Sequence, residues 1–241
     1  MTDSLVIAPR FCGPPDSGNG GYVCGVIAAY TGGPATITLR RPPPLATPLT
    51  VERDDDGSVH LRDGQALVAE GTRLPGRLAM ELPGPVSIQQ ARDAGAQCRF
   101  RGRPDEHPFP ACFVCGPDRR PGDGLRILVG PVTGRDLSAD VWYPDQGLAG
   151  ADGNVRAEFL WAALDCAGGV GAFGNAALGG PPYLLGQLSA AQIGPVKAAE
   201  PHAVVGWRLA EGGRKMIAGS ALFTAGGEAV AVARATWIRL R

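Results

Sequence analysis

The sequence predicts an α+β fold in which two consecutive halves each wrap an antiparallel sheet around an apolar helix. Two observations support this prediction. Apolar stretches of helical length occupy 22–30 and 159–169, and each is followed by a series of strand-like segments. The 36 Gly and 22 Pro residues fall between the apolar segments and do not form a low-complexity tract. They therefore indicate turns between short elements, which is typical of a strand-rich fold.

The first half begins with a strand predicted at 5–8 and a helix whose N-cap is Asn19. The apolar run from Tyr22 gives roughly three turns before the glycines at 32–33 end it, and a helix this apolar is buried on all sides. Strands are then predicted at 35–40, 49–53, 58–62 and 66–72, with short turns between them.

A short helix predicted at 87–94 and a polar, Pro-containing segment at 99–110 separate the two halves. The boundary is placed near residue 105, which gives domains of 1–105 and 106–241. The second half repeats the element order of the first, with longer strands. Its strands are predicted at 125–129, 137–143, 183–193, 202–209, 215–223 and 229–239, and its helix at 155–173.

Composition excludes several classes of function. The 23 Lys and Arg are balanced by 23 Asp and Glu, so no basic stripe predicts nucleic-acid binding. Because no apolar run reaches the roughly 18 residues of a membrane span and the start of the chain does not resemble a signal peptide, we expect a cytoplasmic protein without membrane association. Six cysteines in a chain of this length do not indicate a disulfide scaffold.

Two motifs resemble those of a known family. Asn19-Gly20-Gly21, at the start of the first apolar helix, is similar to the His/Asn-Gly-Gly helix start of hotdog acyl-CoA thioesterases. Cys-Phe-Val-Cys-Gly at 112–116, which leads to Gly124 and Leu125, is similar to a motif that opens thioesterase-like hotdog proteins. The resemblance implies a tandem, or double, hotdog fold. It constrains activity less, because hotdog proteins also include hydratases, dehydratases and non-catalytic members.

The two halves carry complementary parts of the motif. In the simplest hotdog thioesterases, an acidic residue follows His-Gly-Gly by about two and a half turns of the same helix. The equivalent position after Asn19 is Ala28, whereas Asp165 is preceded at that spacing by Arg156 rather than by an Asn-Gly-Gly start. The resemblance therefore implies one composite site, with glycines from the first half and the acid from the second.

The chemistry of these residues suits thioester hydrolysis. Free amides at a helix N-terminus, here those of Gly20 and Gly21, stabilise an oxyanion. Asp165, within an apolar helix, is the predicted general base or nucleophile. Each role has a structural alternative. Asp165 could instead be an acid that hydrogen-bonds to backbone across the helix pair, and Gly20 and Gly21 could simply allow the chain to turn tightly into a capped helix. Glu158, in the first helical turn, is expected to complement the helix dipole.

Four residues are predicted to bind substrate: Asn19, Trp161, Gln187 and Ser189. In double hotdog acyl-CoA thioesterases for medium and long chains, a catalytic Asp lies on the first strand after the second helix. Gln187 occupies approximately that position here, so that version of the mechanism is not expected. Gln187 and Ser189 share one face of this strand, where they either bind substrate or line the seam between the halves.

No metal or other cofactor is predicted. Cys112 and Cys115 form a lone CxxC with His107 upstream, and a structural zinc site needs four protein ligands. Without a second CxxC or a His pair, these thiols are expected to be buried and structural.

The sequence thus predicts hydrolysis of acyl-CoA or acyl-carrier thioesters at a composite site between the halves. The alternative is a non-catalytic protein that binds acyl groups or small molecules. Hydratase or dehydratase activity is a weaker third possibility, because the three histidines do not form the Asp-x-Asn-x-x-His pattern. Exposed sheet edges also leave homo-oligomer formation open.

Overall fold

The computed structural model describes residues 2–174 and 181–241, and one antiparallel sheet of eleven strands runs through them. The strand order across the sheet is β1-β3-β4-β5-β2-β8-β11-β10-β9-β7-β6. The strands are β1 (Thr2–Val6), β2 (Ala35–Leu39), β3 (Pro48–Arg53), β4 (Val59–Asp63), β5 (Ala66–Arg73), β6 (Gly130–Pro131), β7 (Ser138–Trp142), β8 (Tyr183–Gln192), β9 (His202–Gly212), β10 (Lys215–Thr224) and β11 (Ala229–Arg239).

Five neighbouring strands of this sheet come from the first third of the chain, and the other six come from residues 130–239. The two groups join at one antiparallel strand pair, β2 with β8, in which Ala35 lies opposite Ala190 and Thr38 opposite Gln187. Backbone hydrogen bonds at this junction make the sheet continuous across the predicted boundary between the halves.

The helices are α1 (Gly20–Ala28), α2 (Ile88–Ala96), α3 (Arg99–Gly102) and α4 (Ala157–Phe173). α1 and α4 pack against each other, and α4 also lies on β9, β10 and β11. Six of the nine residues of α1 are buried and none of them is exposed, which agrees with the prediction that this helix is buried on all sides. Twelve of the seventeen residues of α4 are buried as well. α1 and α4 occupy the main core of the protein.

α2 begins with a capping box, in which Ser87 Oγ accepts the N–H of Gln90 and the Gln90 side chain accepts the N–H of Ser87. The helix lies against β6, β7 and β9 and closes a second, smaller core on the other face of the sheet. The predicted helix at 87–94 is confirmed, and the polar segment after it contains the short α3.

Two strand predictions need correction. The four apolar residues of the segment 125–129 are buried, but the segment forms no strand. Arg126 has a positive φ of 56°, which interrupts an extended backbone, and the Leu128 N–H donates to the Asp140 carboxylate instead of to a neighbouring strand. Near the N-terminus, β1 ends at Val6 rather than extending to residue 8, because its partner strand begins at Pro48, opposite Val6.

Within residues 2–174 and 181–241, no helix combines the length and the apolar character needed to cross a bilayer.

Candidate active site

The start of α1 is capped as the sequence predicts. The Asn19 side-chain oxygen accepts a hydrogen bond from the Tyr22 N–H at 2.9 Å, and Asn19 is almost fully buried. Its side-chain nitrogen points to two thiols, with Cys112 Sγ at 3.7 Å and Cys166 Sγ at 3.6 Å. Asn19 therefore connects the N-terminus of α1 with α4 and with the loop that contains the CxxC motif.

Two glycines in α1 allow α4 to approach closely. A Cβ at Gly21 would lie 2.3 Å from Asp165 Cβ and 2.7 Å from the Trp161 carbonyl oxygen, and one at Gly25 would lie 2.5 Å from Glu158 Cα. These positions are four residues apart, so they lie on the same face of the helix. Glycine is required there because the facing atoms include backbone, which cannot move aside.

Close helix packing brings Asp165 to the start of α1. Asp165 Oδ2 accepts a hydrogen bond from the Gly21 N–H at 2.8 Å. Its other oxygen, Oδ1, is buried and has no hydrogen-bond partner among the described residues. Burial raises the pKa of Asp165 to about 8; the Gly21 hydrogen bond opposes this increase and the neighbouring Cys112 thiol adds to it. The carboxyl group is thus held through one of its two oxygens.

A cavity of about 300 Å³ adjoins these groups. Gly20, Asn19 and Asp165 line it at the helix end. Elsewhere its wall is largely apolar and aromatic, with contributions from Phe109, Phe173, Tyr183 and Trp237. The Phe173 and Tyr183 rings stack with centroids 4.3 Å apart, and Trp237 meets Phe173 edge-on at 5.3 Å. An apolar cavity with a few polar groups at one end suits a ligand with an acyl or aryl part.

Comparison with known proteins identifies the fold. No protein-family model matches the sequence, and none of the curated proteins does. Solved structures match over the full chain. The TesB protein of Mycobacterium avium subspecies paratuberculosis superposes with a TM-score of 0.64 at 13% identity, covering 100% of this chain and 93% of that one. The acyl-CoA thioesterase II TesB2 of Mycobacterium marinum gives 0.61 at 14% identity, covering 99% and 93%. A proposed thioesterase of Novosphingobium aromaticivorans gives 0.62 at 13% identity, covering 100% and 96%.

The chain has an α+β hotdog fold. The family resemblance drawn from the two sequence motifs therefore agrees with the similarity in structure, although identities of this size establish the fold and not the activity. Within this hotdog fold, the helix start after Asn19 and Asp165 lie next to each other and line one cavity.

Three predicted substrate-binding residues lie outside the lining of this cavity. Gln187 Nε2 donates to Thr38 Oγ1 at 2.9 Å, and the Ser189 and Thr36 hydroxyls are hydrogen-bonded at 2.7 Å. Both pairs connect β8 with β2, so Gln187 and Ser189 lie at the seam, the alternative that their sequence pattern left open. Trp161 is buried where α4 packs on Gly21 and Gly25.

One group of the hotdog core was not predicted from the sequence. Cys112, Cys115 and Cys166 place their Sγ atoms within 4.8 Å of one another, and all three line the cavity. The expectation that the CxxC thiols are buried is confirmed, but the third thiol comes from α4, 54 positions after Cys112. Hydrogen bonds from the Cys115 and Cys166 thiols hold the pKa of Cys112 well below its usual range.

Proposed function

We propose that the protein hydrolyses thioesters of acyl groups, with acyl-CoA or an acyl-carrier thioester as substrate. The observation that carries the proposal is the position of Asp165, which is held by the Gly21 N–H, lines an apolar cavity and keeps Oδ1 unpartnered among the described residues. The structural neighbours include thioesterases, among them an acyl-CoA thioesterase II, and this similarity supports the same class of substrate.

The proposed fold behind this site is a tandem hotdog. The first unit, 1–105, contains α1 and the five strands at one end of the sheet, and the second, 106–241, contains α4 and the other six. Each unit supplies one part of the composite site. The contact between α1 and α4 and the β2–β8 pair support this division, since they are where the two units would meet.

In the proposed reaction, the thioester carbonyl lies at the N-terminus of α1. Gly20 is the first residue of that helix and lines the cavity, so its N–H has no acceptor within the helix and can donate to the oxyanion. The positive end of the helix dipole adds to this stabilisation. The Gly21 N–H is already bonded to Asp165, so its role in the proposal is to orient the carboxylate.

Asp165, in its ionised form, supplies the second function through Oδ1. As a general base it takes a proton from water as the water oxygen attacks the carbonyl carbon, and the C–S bond then breaks to release the thiol. As a nucleophile it would attack the carbonyl carbon itself, break the C–S bond to release the thiolate, and form an anhydride that water later cleaves. Both routes need the unpartnered oxygen, and oxygen exchange from labelled water into Asp165 distinguishes them.

The decisive experiment is a thiol-release assay with a panel of acyl-CoA substrates that includes straight-chain and aryl acyl groups. We expect Asp165→Asn to lower kcat/KM at least about a hundredfold, the range for loss of a general base. Glu158→Gln is the matched control, because it removes an acid from the same helix that forms an ion pair with Arg156 at 3.2 Å and does not line the cavity. We expect this control to hydrolyse thioesters like the wild type.

Two results would count against the proposal. Turnover by Asp165→Asn equal to that of the wild type would remove Asp165 from the mechanism. If no member of the panel is hydrolysed but acyl-CoA binding is measurable by calorimetry, the protein is a non-catalytic acyl-binding hotdog. Hydration of crotonyl-CoA, followed by loss of its enoyl absorbance, tests the hydratase possibility in the same samples.

A further inference from the structure

The cluster formed by the Cys112, Cys115 and Cys166 thiols has the ligand chemistry of a metal site. Cys112 and Cys115 come from the loop between α3 and β6, and Cys166 comes from α4. All three cysteines are buried, and all are free thiols. The hydrolysis proposed above makes no use of them, so the cluster needs an explanation of its own.

Distances within the cluster fit zinc. Zinc binds thiolate sulfur at about 2.3 Å in tetrahedral geometry, which places two sulfur ligands about 3.8 Å apart. The Cys112 and Cys166 Sγ atoms are 3.9 Å apart, and no pair in the cluster exceeds 4.8 Å. Three sulfurs can therefore reach one metal ion with only small movements of the side chains.

The surroundings of the cluster also fit bound thiolates. Asn19 Nδ2 lies within hydrogen-bonding distance of both Cys112 Sγ and Cys166 Sγ, and donors of this kind orient thiolate ligands and stabilise their charge. The CxxC loop itself is closed by hydrogen bonds of 2.9 Å from Cys112 N–H to Phe109 and from Gly116 N–H to Cys112. The two ligands on this loop are thus fixed relative to each other before any metal binds.

The fourth coordination position faces the cavity. Each of the three cysteines lines it, and so does Asp165, whose Oδ1 is without a partner among the described residues. His107 lines the same cavity but does not belong to the cluster, so no fourth protein ligand is in place within residues 2–174 and 181–241. Three protein ligands with an open position are typical of zinc sites that take water or a substrate as the fourth ligand.

We propose that Cys112, Cys115 and Cys166 bind one Zn²⁺ ion as thiolates, with the fourth position open to the cavity and occupied by water. Asp165 Oδ1 accepts a hydrogen bond from that water. Binding releases the thiol protons to solvent, and the ion then joins the CxxC loop to α4. The zinc site shares Asp165 with the hydrolysis proposed above, but its test is independent of that proposal, because metal content is measured without any thioester.

The test is the zinc stoichiometry of the full chain. The reduced protein is saturated with Zn²⁺, passed through a desalting column and measured by mass spectrometry of the metal, and its affinity is measured against a chromophoric zinc chelator. We expect one zinc ion per chain. Each of Cys112→Ser, Cys115→Ser and Cys166→Ser should weaken binding more than about a hundredfold. Cys98→Ala, which removes a buried thiol outside the cluster, should bind zinc like the wild type.

A second measurement uses the wild type alone, so it does not depend on the folding of any variant. Co²⁺ in place of Zn²⁺ should give thiolate-to-cobalt charge-transfer bands with the intensity of three sulfur ligands and visible bands typical of tetrahedral cobalt. Wild-type protein that retains no zinc and shows no such bands would overturn the proposal. So would zinc binding that all three serine variants retain, or a disulfide within the cluster as the stable form under reducing conditions.

Discussion

The Asp165 carboxylate accepts a hydrogen bond from the Gly21 backbone N–H at 2.8 Å, and this bond joins α4 to the first turn of α1. The two helices are closely packed at this point, since a Cβ at Gly21 would lie 2.3 Å from Asp165 Cβ. The same contact therefore closes the helix pair and fixes the carboxylate at the edge of the cavity. We therefore expect stability to depend mainly on Gly21, which contacts α4, and the proposed chemistry to depend mainly on Gly20, which lines the cavity.

Gly21→Ala should destabilise the fold. The added methyl group meets backbone of α4 as well as the Asp165 side chain, so the helices must separate or distort. We expect the free energy of unfolding to fall by about 1–3 kcal/mol, the usual cost of overpacking. Chemical denaturation measures this change. Gly102→Ala is the control, because a Cβ there meets no atom within 4 Å, and equal stabilities of the two variants would contradict the prediction.

Gly20→Ala should affect activity more than stability. Its Cβ would meet the Leu185 side chain at 2.8 Å, and a leucine side chain can move where backbone cannot. The methyl group would crowd the position proposed for the thioester carbonyl, and a displacement of about 1 Å there can cost up to about a hundredfold in rate. We expect kcat/KM to fall at least about tenfold while unfolding changes by less than about 1 kcal/mol. Wild-type hydrolysis by this variant would exclude Gly20 from the oxyanion site.

Asp140→Ala should be among the most damaging substitutions outside the candidate site. Asp140 is buried, and its Oδ2 accepts hydrogen bonds from the Leu128 N–H at 2.7 Å and from Arg101 at 2.8 Å. Removal of the carboxylate leaves the buried Leu128 N–H without its acceptor, which costs about 1–3 kcal/mol, whereas Arg101, whose side chain is 38% exposed, can be hydrated instead. Denaturation of Asp140→Ala against Asp136→Ala, an exposed acid nearby, measures the effect. A loss below 1 kcal/mol would show that water replaces the carboxylate.

The helices α1 and α4 could be predicted because their sequence signals are local. Asn19 caps the helix that follows it, and the run at 159–169 is apolar on every side, so neither helix depends on distant contacts to be recognised. The complementary motifs also predict that the α1 start and Asp165 share a site. The Gly21–Asp165 hydrogen bond brings the two groups together, and their shared function stays a prediction.

Features that depend on tertiary contacts could not be predicted in the same way. The apolar segment 125–129 has the composition of a strand, but the Asp140 carboxylate takes its Leu128 N–H. Cys166 joins the CxxC thiols only because α4 crosses beside that loop. The alternation of β8 predicts that Gln187 and Ser189 share one face of the strand. Their hydroxyl partners on β2 could not be predicted, because they depend on pairing between segments far apart in sequence.

The last prediction concerns pH. His202 is buried at the start of β9, where its Nδ1 lies 2.9 Å from the Glu200 carbonyl oxygen. Burial lowers the pKa of His202, and the Glu200 carbonyl and charge oppose this only in part. The folded state then binds fewer protons than the unfolded state. Stability is therefore lost as the pH falls below the pKa of histidine in the unfolded chain, which is about 6.5.

His202→Asn isolates this contribution, because the asparagine amide can still donate to the Glu200 carbonyl but does not titrate. Between pH 7.5 and 5.5, we expect the free energy of unfolding to decrease more for the wild type than for His202→Asn. The pKa of His107 is also lowered by burial, but His107 is present in both proteins and cancels in the comparison. Urea denaturation at a series of pH values measures both curves, and parallel curves would mean that His202 takes up its proton equally in the folded and unfolded chains.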